Sequence, residues 1–313
     1  MFTAFNATLS PMLVIFTYIV IGFILKKCSI VPDNTAVVLS RLENYVIVPA
    51  LIINTFMEYC TVKSLSEEYR LILYCTLVLF VALIIAIPLS KVFTKDEYLR
   101  NIYKYALTFA NFSFMGNAIV PVILGNDALY RYMLYILPLN TAVYTWGMII
   151  LIPKNKNNAG TLSRLVNPIF ISIIIGVILG LTNAENYLPG FVKSAVAKLA
   201  ACMGPLAMLL TGFVVGGYDF RSLLHNKRVY FASALRLVIL PLLFIGLLYI
   251  IGADKDVLVL TLFAFGTPLG LNTVVFPAAY GGNTETGASM AMISHTFCVI
   301  TIPLLYVFVT YVV

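Results

Sequence analysis

Two stretches of this sequence place polar side chains about one helical turn before a proline inside otherwise apolar segments. In "GNAIVPVILGND", Asn117 precedes Pro121 by four residues; in "LNTVVFPAAYGG", Asn272 and Thr273 precede Pro277 by five and four. A proline lacks a backbone N–H and leaves a carbonyl unpaired about one turn earlier. Each stretch therefore predicts an interrupted helix whose polar groups need a partner, such as a ligand, water or protein.

The composition predicts a helical membrane protein around these stretches. Of the 313 residues, 61% are hydrophobic and 11% are charged, whereas a soluble domain carries far more charge. Apolar runs of roughly 20 residues, each long enough to cross about 30 Å of hydrocarbon as a helix, recur along the chain. Ten spans are predicted, near 9–25, 36–57, 70–91, 104–125, 131–152, 167–183, 190–216, 229–251, 256–280 and 286–312.

A constant spacing between landmarks predicts an internal duplication. Pro121 and Pro277 lie 156 residues apart, since 277 − 121 = 156, which is close to half of the 313 residues. Three further pairs keep the same spacing: Gly125 and Gly281, Pro49 and Pro205, and Thr55 and Thr211. One offset at widely separated positions is what a duplicated gene segment produces.

The two halves are predicted to be inverted repeats, 9–152 and 167–312, within a single transmembrane transporter domain covering 1–313. Each half contains five spans, so the second half must enter the membrane from the opposite side. Inverted repeats with discontinuous helices are common in secondary transporters. The fold class expected is an all-α membrane protein with ten transmembrane helices, in which the broken helices four and nine cross.

The distribution of Lys and Arg predicts the orientation of the chain across the membrane. The odd-numbered connections carry 13 Lys and Arg and the even-numbered ones 6, which puts the 153–166 connection in the cytoplasm and both termini outside the cell. Glu43, Glu58 and Asp219 lie near span ends, where we expect solvent contact, and Arg236 is expected to extend toward the cytoplasm.

Other groups that carry chemistry are few. His295, at membrane depth, is either a hydrogen-bonded neutral histidine or a proton-coupling group. The five cysteines are scattered and predict structural thiols, so neither a metal site nor a cofactor is expected. No nucleophile and base face each other in the pattern, which argues against an enzyme.

The sequence resembles the auxin efflux carrier family, in particular its bacterial organic-anion permease branch. The pieces that carry the resemblance follow the family order: "GFILKKCSIVPDNTAVVLSRLENYVIVPALIINTF", "NFSFMGNAIVPVILG", "NPIFISIIIGVILG", "MGPLAMLLTGFVVGG" and "PAAYGGNTETGASMAMISHTFCVITIPLL". The resemblance implies a fold similar to sodium/proton antiporters and bile-acid symporters, with a scaffold and a mobile transport domain. It maps the span-four asparagine of the family onto Asn111 and the following glycine onto Gly116. The crossing proline expected two residues later is Ala118 here, and the corresponding position of span nine falls near Thr273.

The expected function is alternating-access transport of a small organic anion across the cell membrane, either an auxin-like acid or a mono- or dicarboxylate such as malonate or malate. The alternatives are a cation-coupled symporter of another solute class and, less favoured, a channel. The partners expected are this anion and the lipid bilayer, without nucleic acid; a homodimer is left open. The predicted substrate-binding residues are Asn111, Asn117, Asn272, Thr273, Thr55 and Thr211, with Pro121, Pro277 and Gly116 at the helix breaks and His295 for proton coupling.

Overall fold

The first half of the chain forms a series of apolar helices. The structure, a computed structural model, describes residues 2–152, 168–279 and 282–312. Polar connections such as "TKD" at 94–96 separate the apolar runs, and there the Asp96 side chain accepts the Leu99 N–H at 2.7 Å and caps a helix. The helices are α1 (Phe2–Lys27), α2 (Thr35–Tyr59), α3 (Val62–Phe93), α4a (Glu97–Thr108), α4b (Phe112–Leu124) and α5 (Asn126–Leu151).

The second half repeats this order of long and interrupted helices. Its helices are α6 (Pro168–Leu181), α7 (Gly190–Gly216), α8 (Lys227–Ile250), α9a (Lys255–Phe265), α9b (Asn272–Ala279) and α10 (Glu285–Tyr311), with a short helix, Phe220–Leu224, before α8.

Each predicted span contains helix, and the all-α membrane fold class is confirmed. Among the described residues, six helices are long and apolar enough to cross a membrane alone, or seven if α5, bent by 47°, counts as one span. Helices four and nine are not long enough to cross a membrane without a break, because each is interrupted. α6 is also too short, with only 14 residues. The count of ten spans and the repeat boundaries stay predictions. The 153–166 connection and Gly281 lie outside the described residues.

Helix packing joins the two halves in matched pairs. α1 packs along α7, and α2 packs along α6. Replacing α1 by α6 and α7 by α2, each five places away in the helix order, turns the α1–α7 pair into the α2–α6 pair. The same exchange relates α3 against α4a to α8 against α9a. This is the arrangement that a two-fold axis between inverted repeats would produce.

Glycines allow the closest of these helix approaches. A Cβ on Gly212 of α7 would collide with the carbonyl oxygen of Ile19 and the backbone nitrogen of Phe23 on α1. On the α2–α6 side, a Cβ on Gly176 would lie 2.8 Å from the Phe56 Cβ. Small residues let helix backbones approach in membranes, where van der Waals contact provides much of the association energy.

We expect Gly212→Ala to lower the thermal unfolding temperature in detergent, because overpacking against a backbone typically costs about 1–3 kcal/mol. Gly246→Ala on α8 is the matched control, since a Cβ there meets nothing within 4 Å. The control should unfold at or above the wild-type temperature because alanine favours helix over glycine. Equal unfolding temperatures for the two variants would contradict the close contact.

Candidate functional site

Helices four and nine are broken where their chains cross. Phe109, after α4a, is extended (φ −110°, ψ 131°), and α9a ends at Phe265. The unwound segments 109–111 and 266–271 meet in an isolated antiparallel bridge between Ala110 and Leu269. The Asn111 backbone N–H donates to the Pro268 carbonyl at 2.7 Å. Two non-helical segments in an apolar environment thus share a backbone hydrogen bond, which satisfies one donor and one acceptor.

The prediction that Pro121 and Pro277 break these helices was wrong. Pro121 lies inside α4b and Pro277 inside α9b, and both helices continue past the proline. Transmembrane helices tolerate an internal proline when neighbouring groups satisfy the freed carbonyl. The breaks lie about ten residues before Pro121 and six or more before Pro277, so Asn117 and Asn272 lie inside helices after the breaks.

α10 is bonded to both unwound segments through adjacent side chains. Ser294 Oγ accepts the Leu269 N–H at 3.0 Å. His295 Nδ1 lies 2.7 Å from the Ala291 carbonyl, which can only accept, so Nδ1 carries the proton. His295 Nε2 then accepts from Asn111 Nδ2 at 3.1 Å. Both ring nitrogens are therefore satisfied in the neutral tautomer, and a proton-coupling role for His295 stays a prediction.

The start of α9b faces α4a. Asn272 Nδ2 donates to the Tyr105 hydroxyl at 2.9 Å, while the Thr273 hydroxyl is fully buried and donates to the Gly270 carbonyl at 2.9 Å. Neither residue lines the largest cavity described below. The structure brings Asn272 and Thr273 close to the crossing, where they bond to protein.

Gly116 occupies a tight position beside α5. It ends a single π-helical turn, Phe112–Gly116, and a Cβ there would collide with the Tyr132 hydroxyl. That hydroxyl lies 2.9 Å from the Phe112 carbonyl and 3.3 Å from the Phe263 carbonyl. Gly116 therefore gives Tyr132 the room to bond to the backbones of both broken helices, and the break itself lies earlier in the chain.

A cavity of about 730 Å³ lies beside the crossing, between α2 and α7 on one side and α4b on the other. Asn117 is 4% exposed and its Oδ1 has no hydrogen-bond partner, which is unusual for a buried amide. Asn54 and Thr55 of α2 line the same cavity, as do Ala118, Pro121 and Pro205.

The mouth of this cavity carries mixed charge. Glu58, Asn126, Glu185 and Lys193 line it where α2 ends, α5 begins and the α6–α7 connection runs. Lys193 Nζ lies 4.0 Å from Glu185 Oε1. In the predicted orientation this mouth faces outside the cell.

The two repeat-related threonines are separated in the structure. Thr55 lines the 730 Å³ cavity, whereas Thr211 lines a mostly apolar cavity of about 130 Å³ with His295, between α1, α7 and α10. The Thr211 hydroxyl donates to the Ala207 carbonyl at 3.0 Å. The six predicted binding residues therefore do not form one pocket: Asn117 and Thr55 share a cavity, and the other four do not line it.

Two charged residues that we expected to contact solvent are buried. Glu43 and Arg236 are both 0% exposed, and their side-chain oxygens and nitrogens have no hydrogen-bond partner. The Arg236 guanidinium lies 5.7 Å from the centre of the Phe265 ring, a cation–π contact at the end of α9a. Both expectations failed because each residue lies on a helix face covered by neighbours. Glu58 and Asp219 are exposed as expected.

The fold and its crossing define a multi-pass membrane transporter. The sequence pattern of the family described as "Membrane transport protein" matches residues 7–306. The chain belongs to this family, and the resemblance to auxin efflux carriers is confirmed. No curated protein matches the chain. The family consists of transporters rather than enzymes.

The Asn111–His295 contact can be tested with a double-mutant cycle. Asn111→Ala should lower the free energy of unfolding by about 1–3 kcal/mol, because the buried His295 Nε2 loses its donor. In the double variant with Asn111→Ala and His295→Ala, the loss in free energy of unfolding should be smaller than the sum of the losses in the two single variants. The expected coupling is roughly 0.5–3 kcal/mol. Additive effects in detergent unfolding would show that the contact does not form.

Proposed function

We propose that this chain is a secondary transporter that moves a small organic anion across the cell membrane by alternating access. The observation that carries the proposal is the cavity beside the crossing, which is lined by Asn117, a buried residue with an unpartnered amide oxygen. An asparagine amide can rotate to present either its N–H groups or its oxygen, so Asn117 can donate to a carboxylate.

The walls of the cavity belong to different helix groups. α2 and α7 pack with α6 and α1, while α4b begins at the crossing. Movement of one group against the other would close the mouth and open the other side, as alternating access requires. The size also fits, because ligand cavities for small molecules are typically about 300–1,000 Å³.

Substituting Asn117 by Ala should raise the Kd or KM for the transported acid by about five- to thirtyfold, the loss of one hydrogen bond of about 1–2 kcal/mol. Transport of labelled malonate, malate and an indole acid into proteoliposomes measures this. Asn34→Ala, an exposed loop variant, is the control and should match the wild type.

Asn272→Ala tests the earlier assignment of that residue to substrate. Because Asn272 bonds to Tyr105, Tyr105→Phe should reproduce any effect if Asn272 acts by positioning α9b. An effect of Asn272→Ala alone would favour direct substrate contact. Unchanged kinetics in both the Asn117 and Asn272 variants would place the transport site elsewhere.

The charge at the mouth favours one alternative, a cation-coupled symporter of another solute class. Glu58 and Glu185 supply two carboxylates there, against the single ammonium of Lys193. Such a mouth attracts cations and amines more than anions. Uptake of amines in place of carboxylates would support this alternative, and ohmic conductance without saturation would indicate a channel.

The proposed orientation puts both termini outside the cell. A cysteine at Glu67, exposed near the start of α3, should react in intact cells with a membrane-impermeant maleimide in a cysteine-free background. A cysteine at Lys95, exposed between α3 and α4a, should react only after the cells are opened. The reverse pattern would overturn the orientation. The homodimer stays a prediction.

A further inference from the structure

Glu43 is a buried carboxyl group that the proposed transport cavity does not use. Glu43 lies in the first half of α2 and is 0% exposed, and neither of its side-chain oxygens has a hydrogen-bond partner. An intramembrane acid is rare and expensive, and it commonly marks an ion or proton pathway. A carboxyl group that is buried without a partner is more stable in its neutral, protonated form than as a carboxylate.

The backbone around Glu43 is a π-helical turn. Residues 43–47 form the turn, the Val48 N–H bonds to the Glu43 carbonyl, and Pro49 follows without an N–H of its own. Single π turns inside α-helices occur frequently at functional sites. The turn also interrupts the regular hydrogen bonding of α2 at this depth.

Among the described residues, no charged side chain of the elements around this turn bonds to Glu43, and α5 contributes there the Tyr144 hydroxyl, which bonds to Asn44. α6 carries no titratable side chain within Pro168–Leu181. On α7 the titratable groups are Lys193, Lys198 and Cys202, all in its first half. On α2 itself, Arg41 and Tyr45 are exposed. None of these groups forms a described hydrogen bond or ion pair with Glu43.

The same turn contacts helices on the other side of the cavity. Asn44, the next residue, accepts from the Tyr144 hydroxyl of α5 at 3.5 Å. Val48, one turn later, lines a small void together with Asn117 and Asn140. A change at Glu43 that rearranges the π turn would therefore reach the contact between α2 and α5, and the buried end of the transport cavity.

We propose that Glu43 carries a proton during the transport cycle, so that the chain couples anion uptake to proton uptake. In the closed environment seen here the carboxyl holds its proton. When movement of the helices admits water from the cytoplasm, the O–H bond breaks, the proton leaves to water and a carboxylate remains. That carboxylate takes up a proton from the outer side in the opposite state. His295 is less suited to this task because both of its ring nitrogens are already bonded.

The inference rests on the proposed function, and uptake into proteoliposomes tests the two separately. The probe is labelled malonate, or whichever acid of the panel the wild type transports. An acidic outer medium should drive accumulation by about tenfold per unit of pH gradient for one proton per substrate molecule. A lumenal pH dye should report acidification that depends on substrate.

Glu43→Gln should abolish the stimulation by the pH gradient and the lumenal acidification while keeping exchange of labelled for unlabelled substrate. Glu43→Asp, which retains an acid, should keep both at reduced rate. Glu67→Gln is the matched control, because its carboxyl is exposed, and it should behave as the wild type. Gradient-driven accumulation that is unchanged in Glu43→Gln would overturn the proposal, even with the transport function intact.

A second readout needs no substrate. Dicyclohexylcarbodiimide reacts with protonated carboxyl groups in apolar surroundings, so mass spectrometry of the treated wild type should find Glu43 modified at neutral pH and Glu67 unmodified. Modification of Glu43 should fall as the medium becomes strongly alkaline. If Glu43 remains unmodified across the whole pH range while the protein is folded, the group does not exchange a proton. Absence of any solute transport in the wild type would instead refute the proposed function.

Discussion

The hydrogen bond between the Asn111 N–H and the Pro268 carbonyl is the contact on which the rest of this structure depends. Backbone that leaves the helix inside a membrane has no water to bond, and each unsatisfied group costs several kcal/mol. The unwound segments of helices four and nine meet this requirement in part by pairing with each other. α10 completes the arrangement, since Ser294 holds one segment and His295 the other.

This pairing determines where the polar side chains of α4b lie. Because α4b begins directly after the unwound segment, its first turns, with Asn117, are held beside the crossing and face the cavity formed with α2 and α7. The glycine contacts between α1 and α7 and between α2 and α6 hold the opposite wall together. A cavity between a paired crossing and a separate group of helices suits a mechanism in which one body moves against the other.

The sequence was sufficient for the class of fold and the family, because long apolar runs and the ordered motifs carry that information directly. The positions of the breaks were harder to predict. The segment "GTPLG" at 266–270 combines two glycines and a proline, a helix-breaking signal that coincides with the observed break, whereas Pro277 lies inside a helix. The segment "FAN" at 109–111 has no glycine or proline, so its extended conformation follows only from the partner it pairs with.

The site residues differ in how far the sequence reveals them. Asn54 lies next to Thr55 in the sequence and is a recognisable polar candidate, whereas the role of Tyr105 follows from tertiary contacts. Glu43 was placed in solvent because burial by α6 and α7 is invisible in a single sequence.

In the proposed mechanism the solute occupies the cavity beside the crossing. The most direct test introduces Ala118→Cys, on the cavity wall next to Asn117, into a cysteine-free variant and follows its modification by a small water-soluble maleimide. We expect the thiol to react from the outer face and a transported carboxylate to slow the reaction in a saturable way, at concentrations near its KM. A reaction rate that does not change with any transported solute would show that the solute binds elsewhere.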